Sequence, residues 1–191
     1  MSIVSLAAIP IGYLLGAIPI SLIIGRVIGK TDLRIEGDGR ISAAAIYWRF
    51  GIYPYLLVVL LDIGKASLAV FLAGLLNEPD TTQLIAGFFT VIGHCWSVFL
   101  RFRGGLGATV ICGVLIYLFP IPLLIGLATV SIFFIYTRKS GISTAIIITV
   151  TSIVLLAQHR PVLVVIYPFI LICLMVLKRF QTRRIASIEE S

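Results

Sequence analysis

The chain has 191 residues, of which 60% are hydrophobic and 12% are charged, and its mean hydropathy is +1.14. A water-soluble domain of this size needs more charge on its surface, so the composition excludes one and predicts a single polytopic membrane domain over residues 1–191. The formal net charge of +7 would suit nucleic acid in a soluble protein. Here most basic residues flank apolar segments, where anionic lipid explains them, and we expect no nucleic-acid partner.

Seven apolar segments alternate with polar ones along the chain. They predict an all-α integral membrane protein with about seven transmembrane helices, at residues 3–25, 52–75, 83–100, 107–119, 122–136, 142–157 and 161–177. The first segment is longer than a signal-peptide core, and we expect it to be retained. The fourth and fifth are shorter than the about 20 residues that span a bilayer core, so they either cross with little tilt or are partly re-entrant.

Basic residues concentrate in every second connecting segment. Residues 26–50, the pair at 101 and 103, the pair at 138 and 139, and the tail from Lys178 hold five, two, two and four of the 15 lysines and arginines. Because basic loops stay in the cytoplasm, this distribution predicts an N-terminus outside the cell and a cytoplasmic C-terminus. The polar segments with candidate chemistry then all lie on the cytoplasmic side of a multi-pass cell-membrane protein.

The segment GHCWSVFLRFRGGLGAT, residues 93–109, combines the residue types that bind phosphate. An intramembrane histidine is followed by two arginines and then by a turn with three glycines: His94, Arg101, Arg103, Gly104, Gly105 and Gly107. Guanidinium groups supply charge, and a glycine-rich turn can present open backbone N–H groups. The same residues are equally compatible with a cationic cap at the membrane surface and a flexible turn.

Asp62 and Lys65 lie three residues apart inside the second apolar segment, so they share one helix face. Isolated charges are costly at that depth, and we expect an ion pair that faces the bundle interior, with a proton or substrate role as the alternative. The three cysteines, at 95, 112 and 173, lie in apolar runs without metal-ligand spacing, and we expect free, buried thiols.

The sequence contains no Ser-His-Asp pattern, no HEXXH motif and no paired carboxylates on facing segments. An enzyme of this sequence would therefore act by positioning two substrates and neutralising phosphate charge, without a protein-bound intermediate or a metal. Polar loops on one face of an apolar bundle suit a substrate with a polar head and a lipid tail.

These motifs resemble, along the whole chain, those of the bacterial acyl-phosphate:glycerol-3-phosphate acyltransferases, the PlsY family. The resembling segments are YLLGAIPISLIIGRVIGKTDLR at 13–34, LLDIGKASLAVFLAGLL at 60–76, GHCWSVFLRFRGGLGAT at 93–109 and TRKSGIST at 137–144. The resemblance implies transfer of a fatty acyl group from acyl phosphate to glycerol 3-phosphate, giving lysophosphatidic acid for phospholipid synthesis. It also implies that neither a cofactor nor a metal is needed and that membrane lipids surround the protein. It gives no indication of a protein partner.

This sequence departs from the family pattern at several polar positions. In GDGRISAAA, at 37–45, the two glycines remain, but Asp38 and Arg40 replace a serine and an asparagine. In the same signature Ala44 and Ala45 replace a threonine and an asparagine. Leu106 stands where the second signature carries a lysine. Other departures are Trp48 at an arginine position with Arg49 next to it, Gly141 for a serine, and Lys178 and Gln181 for a histidine and an asparagine, whereas Glu190 is kept.

By this resemblance we expect two groups of site residues. The expected catalytic residues are His94, Arg40 and Asp38, and the expected substrate-binding residues are Gly37, Gly39, Arg49, Arg101, Arg103, Gly104, Gly105, Gly107 and Lys178. The pattern favours an enzyme. Two alternatives remain: a catalytically silent paralogue that binds lipid phosphates or regulates an active copy, and a small transporter or channel for an anionic lipid precursor.

Overall fold

The computed structural model describes residues 6–33, 41–76, 80–137 and 140–189, and the regular structure in these ranges is helical throughout. In chain order, with a short 3-10 turn at Val98–Leu100, the helices are α1 (Ala8–Ala17), α2 (Ile20–Val27), α3 (Ala43–Phe50), α4 (Ile52–Gly74), α5 (Asp80–Cys95), α6 (Ala108–Leu118), α7 (Pro120–Thr137), α8 (Ser140–Ala157) and α9 (Val162–Glu189). The prediction of an all-α membrane protein is confirmed.

Four helical segments are long and apolar enough to cross a membrane: Ala8–Val27, Ile52–Gly74, Asp80–Leu100 and Val162–Arg184. Three shorter apolar helices occupy the remaining predicted spans, at Ala108–Leu118, Pro120–Ser131 and Ile146–Ala157. Each predicted span therefore corresponds to an apolar helical segment, and within the described residues four of these segments have the length and composition of a complete crossing.

The polar segment 26–50 and the last predicted span differ from the prediction. The polar segment 26–50 contains a helix, α3, whose first turn is capped by the Ser42 hydroxyl accepting a 3.2 Å hydrogen bond from the Ala45 N–H. Helix α3 ends at Phe50, and the Gly51 that follows has a φ of 84°. The final helix does not stop at residue 177, because α9 continues through the basic tail to Glu189.

The predicted first span is interrupted at Ile18 and Pro19. A residue before proline is pushed out of the helical conformation, and Ile18 has a ψ of 118°, which separates α1 from α2. The break directs two carbonyl groups toward other helices. The Ser97 hydroxyl donates to the Ala17 oxygen at 2.6 Å, and the Lys65 ammonium donates to the Ile18 oxygen at 2.8 Å.

Helix α1 packs closely against α5 through small residues. A Cβ added at Gly12 or at Gly16, one turn apart, would overlap the backbone carbonyls of Ala86 and Thr90 respectively. A Cβ at Gly93 would overlap the carbonyl of Tyr13. Small residues at this spacing let two helix backbones touch inside a membrane. The end of α5 is thereby held beside the α1–α2 break.

Two apolar clusters support this region from either side. The larger cluster has members in each helix from α4 through α9, among them Val91, Cys95 and Val114. The smaller joins α2, α3 and α4 to the 3-10 turn through Leu22, Ile46, Val58 and Leu100. The segment from the end of α5 to the 3-10 turn is therefore held between two packed cores.

Candidate functional site

After α5 the chain folds back on the end of the same helix. We call residues 101–107 the glycine turn. Arg101 and Phe102 have φ angles of 51° and 64°, in the left-handed region. The N–H of Gly104 donates to the Cys95 carbonyl, and the N–H of Gly105 donates to the His94 carbonyl, both at 3.2 Å. The turn is thus closed onto α5 by backbone hydrogen bonds.

Each glycine of the turn has a specific structural reason. A Cβ at Gly104 would overlap the His94 carbonyl oxygen, and a Cβ at Gly105 would overlap the His94 ring at Nε2. Gly107 has a φ of 90° and precedes the first residue of α6, a conformation that side chains disfavour. The glycines therefore allow the turn to lie directly against His94.

These bonds correct one part of the sequence interpretation. The N–H groups of Gly104 and Gly105 already donate to protein carbonyls, so they are not open donors for a phosphate. The two glycines provide close packing instead. Charge near the turn comes from side chains. Free N–H groups that favour anions occur in the first turn of any helix, and here that helix is α6, which follows the glycine turn.

A buried polar cluster lies under the turn. The Lys65 ammonium is 2.8 Å from Asp62 Oδ1 and 3.1 Å from His94 Nδ1, in addition to its bond to Ile18. The Thr109 hydroxyl donates to Asp62 Oδ2 at 3.0 Å. The side chains of Lys65 and Asp62 are 6% and 3% exposed. The ion pair predicted inside the bundle is present, and it ties α4 to the α1–α2 break, α5 and α6.

A small cleft opens beside this cluster. It is lined by the α1–α2 break, Ile41, His94, Ser97, Leu100 and Gly105. Ser97 is buried and bonds the Ala17 carbonyl, and it was missing from the residues expected from the sequence. No sequence motif distinguishes this serine. Its hydrogen bond is to a carbonyl group 80 residues away, which is available because the helix is broken between α1 and α2.

Lys178 reaches the glycine turn from α9. Its ammonium donates to the Phe102 carbonyl oxygen at 3.2 Å and lies 5.4 Å from the centre of the Trp96 ring. The Trp96 indole N–H in turn donates to the Gln181 side-chain oxygen at 2.8 Å. Lys178 is buried, and no carboxylate in the described ranges forms an ion pair with it.

The remaining expected residues lie on the turn, on α3 or outside the described ranges. Arg101 and Arg103 are exposed on the turn, and the Leu106 side chain between them and α6 is 41% exposed. Arg49 is half-buried near the end of α3, a helix that packs on α2 and α4. The other expected residues, Gly37, Asp38, Gly39 and Arg40, lie outside the described residues, as does Glu190.

The cysteines do not form a reactive or metal-binding group. All three are free, and Cys95 is buried, Cys112 is half-buried and Cys173 is exposed. The expectation of a buried thiol was wrong for Cys173, whose side chain is exposed on α9. Over residues 6–33, 41–76, 80–137 and 140–189, no three side chains of His, Cys, Asp or Glu come together as a metal site would require.

Comparison with known proteins gives one consistent result. The sequence model of the glycerol-3-phosphate acyltransferase family matches residues 6–188. Glycerol-3-phosphate acyltransferase of Shouchella clausii is 34% identical over 186 residues, which cover 94% of this chain and 91% of that protein. Glycerol-3-phosphate acyltransferase 2 of Moorella thermoacetica is 32% identical over 169 residues, covering 86% and 84%.

Other relatives match over a smaller part of their length. Glycerol-3-phosphate acyltransferase 4 of Dehalococcoides mccartyi strain CBDB1 is 39% identical over 129 residues, which are 68% of this chain and 56% of that protein. Among solved structures, the glycerol 3-phosphate form of PlsY (YgiH), an integral membrane glycerol 3-phosphate acyltransferase, superimposes with a TM-score of 0.79. It covers 96% of this chain and 92% of that chain at 24% identity, so it supports the fold.

Proposed function

We propose, because this chain belongs to the glycerol-3-phosphate acyltransferase family, that it transfers a fatty acyl group to glycerol 3-phosphate. The donor we propose is acyl phosphate, and the product is lysophosphatidic acid for phospholipid synthesis. In this reaction the acceptor hydroxyl forms an ester bond with the acyl carbon, and the bond from that carbon to the phosphate oxygen breaks. Both substrates carry a phosphate, and one carries an acyl chain that suits a lipid-facing helical bundle.

One observation carries this proposal: two basic residues belong to the glycine turn and a third contacts it. Arg101 and Arg103 are exposed on the turn itself, and Lys178 is bonded to the carbonyl of Phe102, which lies between them. A cluster of guanidinium and ammonium groups at the end of an apolar bundle favours phosphate groups that stay at the membrane surface. Cations held in place before the substrate arrives also stabilise charge that develops on a leaving phosphate.

The roles we propose follow the geometry. Arg101, Arg103 and Lys178 contact substrate phosphate, and the glycines at 104, 105 and 107 shape the turn. His94 acts from the cleft beneath it. Arg49 and the segment from Gly37 to Arg40 belong to the same proposal only because of their place in the first family signature. Asp38 and Arg40, which replace a serine and an asparagine there, are further catalytic candidates.

We also propose the finer topology, with seven spans, an external N-terminus and a cytoplasmic C-terminus. It is supported by seven apolar helical segments and by the concentration of basic residues in alternate connections. Enzyme-reporter fusions at residue 191 and in the connection at 158–161 would test it. Cytoplasmic signal at the first position and external signal at the second are expected, and the reverse pattern would overturn the orientation.

The direct test of the activity uses the purified full chain in lipid vesicles. Acyl phosphate and radiolabelled glycerol 3-phosphate are supplied, and lysophosphatidic acid is measured, with acyl-CoA as an alternative donor and the Shouchella clausii relative in parallel. Product from acyl phosphate is the expected result. Absence of product beside an active relative contradicts the proposal, and substrate binding without turnover would instead favour the silent paralogue.

A further inference from the structure

The Lys65 ammonium group lies among three buried partners. It forms an ion pair with Asp62 Oδ1 at 2.8 Å, and it is in hydrogen-bond contact with the Ile18 carbonyl oxygen at 2.8 Å and with His94 Nδ1 at 3.1 Å. A lysine ammonium donates three hydrogen bonds and accepts none. An atom in hydrogen-bond contact with this ammonium group must therefore present a lone pair to it, and in the histidine ring that atom is Nδ1.

A histidine whose Nδ1 accepts a hydrogen bond carries its ring proton on Nε2. The Asp62 carboxylate does not reverse this assignment, because its oxygen is 3.8 Å from Nδ1, beyond hydrogen-bond distance. Nε2 faces Gly105, where the absence of a side chain leaves room for it. Within the described residues Nε2 has no hydrogen-bond partner, and the histidine lines the cleft beside Ser97.

We infer that Lys65 is a positioning residue, which holds His94 as the Nε2–H tautomer so that His94 donates a hydrogen bond to a substrate oxygen in this cleft. His94 then acts as a donor and not as a general base, since the nitrogen that could accept a proton is bonded to an ammonium group. The oxygen belongs to a phosphate or to an acyl carbonyl. The assignment of the tautomer is independent of the proposed function, whereas the identity of the acceptor rests on it.

The tautomer can be read spectroscopically on the full chain. The sequence has only two histidines, and the second, His159, is exposed in the short connection before α9, so it serves as an internal reference. In two-bond proton–nitrogen spectra of histidine-labelled protein in lipid nanodiscs, we expect a pyridine-type Nδ1 and a pyrrole-type Nε2 for His94. The variant His159→Gln assigns the signals. A pyrrole-type Nδ1, or a ring protonated on both nitrogens, overturns the inference.

The role of Lys65 is tested by removing it together with its charge partner. In the double variant Asp62→Leu/Lys65→Met no buried charge is left unpaired, and we expect the His94 signals to lose their preference for the Nε2–H form. An unchanged preference in a variant with native helix content overturns the positioning role. If this variant fails to fold, the wild-type spectrum alone still decides the tautomer.

The donor role is tested by ligand addition and by turnover. Inorganic phosphate, glycerol 3-phosphate and acyl phosphate are each added to the labelled protein. A shift of the Nε2–H signal with inorganic phosphate assigns the acceptor to a phosphate oxygen, and a shift with acyl phosphate alone assigns it to the acyl carbonyl. No shift with any of the three overturns the donor role, even where the spectrum shows the expected tautomer.

Two substitutions of the histidine separate a donor from a base. His94→Gln places an amide N–H near the position of Nε2, whereas His94→Asn places one near Nδ1. We expect His94→Gln to retain most of the turnover and His94→Asn to lower kcat about 100-fold, the usual effect of removing one positioned donor. Equal loss in both variants contradicts the inference. A wild-type protein without turnover would contradict the proposed function, while the tautomer and ligand shifts would still test His94.

Discussion

The Lys178 ammonium group lies 3.2 Å from the carbonyl oxygen of Phe102, so that a residue of the last helix is fixed to a turn 76 residues earlier. The contact is strengthened from the side by the ring of Trp96, which is itself bonded to Gln181. The cation is thereby held at the turn before a substrate arrives, although its own helix begins far along the chain.

Replacing Lys178 by methionine should weaken phosphate binding without unfolding the bundle. Methionine keeps the length and apolar stem of the side chain but loses the charge, and a charge-assisted hydrogen bond contributes about 1.5–3 kcal/mol. We expect KM for glycerol 3-phosphate to rise about tenfold, which corresponds to roughly 1.4 kcal/mol. Arg179→Met, which removes the adjacent exposed cation, is the matched control. An unchanged KM in Lys178→Met would exclude Lys178 from the site.

A methyl group at Gly105 should disable the turn because it overlaps the His94 ring. Overpacking of this kind costs about 1–3 kcal/mol, and we expect Gly105→Ala to lower both the thermal unfolding temperature and kcat. Gly64→Ala is the control, since a Cβ there meets nothing within 4 Å and alanine favours a helix interior by up to about 1 kcal/mol. Comparable behaviour of the two variants would contradict the packing described for the turn.

Removing the charge of Asp62 alone should destabilise the protein more than removing both charges. Asp62→Leu leaves Lys65 buried without its carboxylate, and such a loss typically costs about 3–5 kcal/mol. The double variant Asp62→Leu/Lys65→Met leaves no unpaired charge and should recover part of this loss. Thermal unfolding in detergent measures both. A double variant no more stable than Asp62→Leu would show that the pair is not the dominant interaction of Lys65.

A lysine at position 106 should improve phosphate binding. Leu106 is 41% exposed, so a long charged side chain can be accommodated there without burial. We expect Leu106→Lys to lower KM for glycerol 3-phosphate at low ionic strength, with the gain decreasing as salt is added. Leu106→Gln, polar but uncharged, is the control. A gain that is equal in both variants would show that charge is not what the turn lacks.

Much of the scaffold follows from local sequence. Apolar runs locate the helices, and the three-residue spacing of Asp62 and Lys65 is sufficient to expect an ion pair inside the bundle. The presence of His94, Arg101 and the glycines in one segment also draws attention to the turn. These signals are local, because a helix face or a glycine-rich turn is defined by residues close together in the chain.

What could not be predicted depends on contacts between distant segments. The sequence shows a proline at residue 19, where the helix breaks. It does not show that the break supplies carbonyl groups to Ser97 and Lys65, because these bonds form only when three helices are placed together. Similarly, glycines in a turn suggest open N–H groups, whereas at 104 and 105 those groups are bonded to the end of α5. Composition cannot distinguish a glycine that exposes its backbone from one that permits close packing.

The ion pair of Asp62 and Lys65 also has a consequence for biogenesis. Both residues belong to α4 and face each other across less than one turn, so they can neutralise each other while this helix enters the bilayer alone. The bonds of Lys65 to Ile18 and His94 join separate helices and can form only when those helices meet. We therefore expect α4 to insert without its neighbours, whereas the hydrogen bonds of Lys65 to Ile18 and His94 stabilise the bundle only once the helices have assembled.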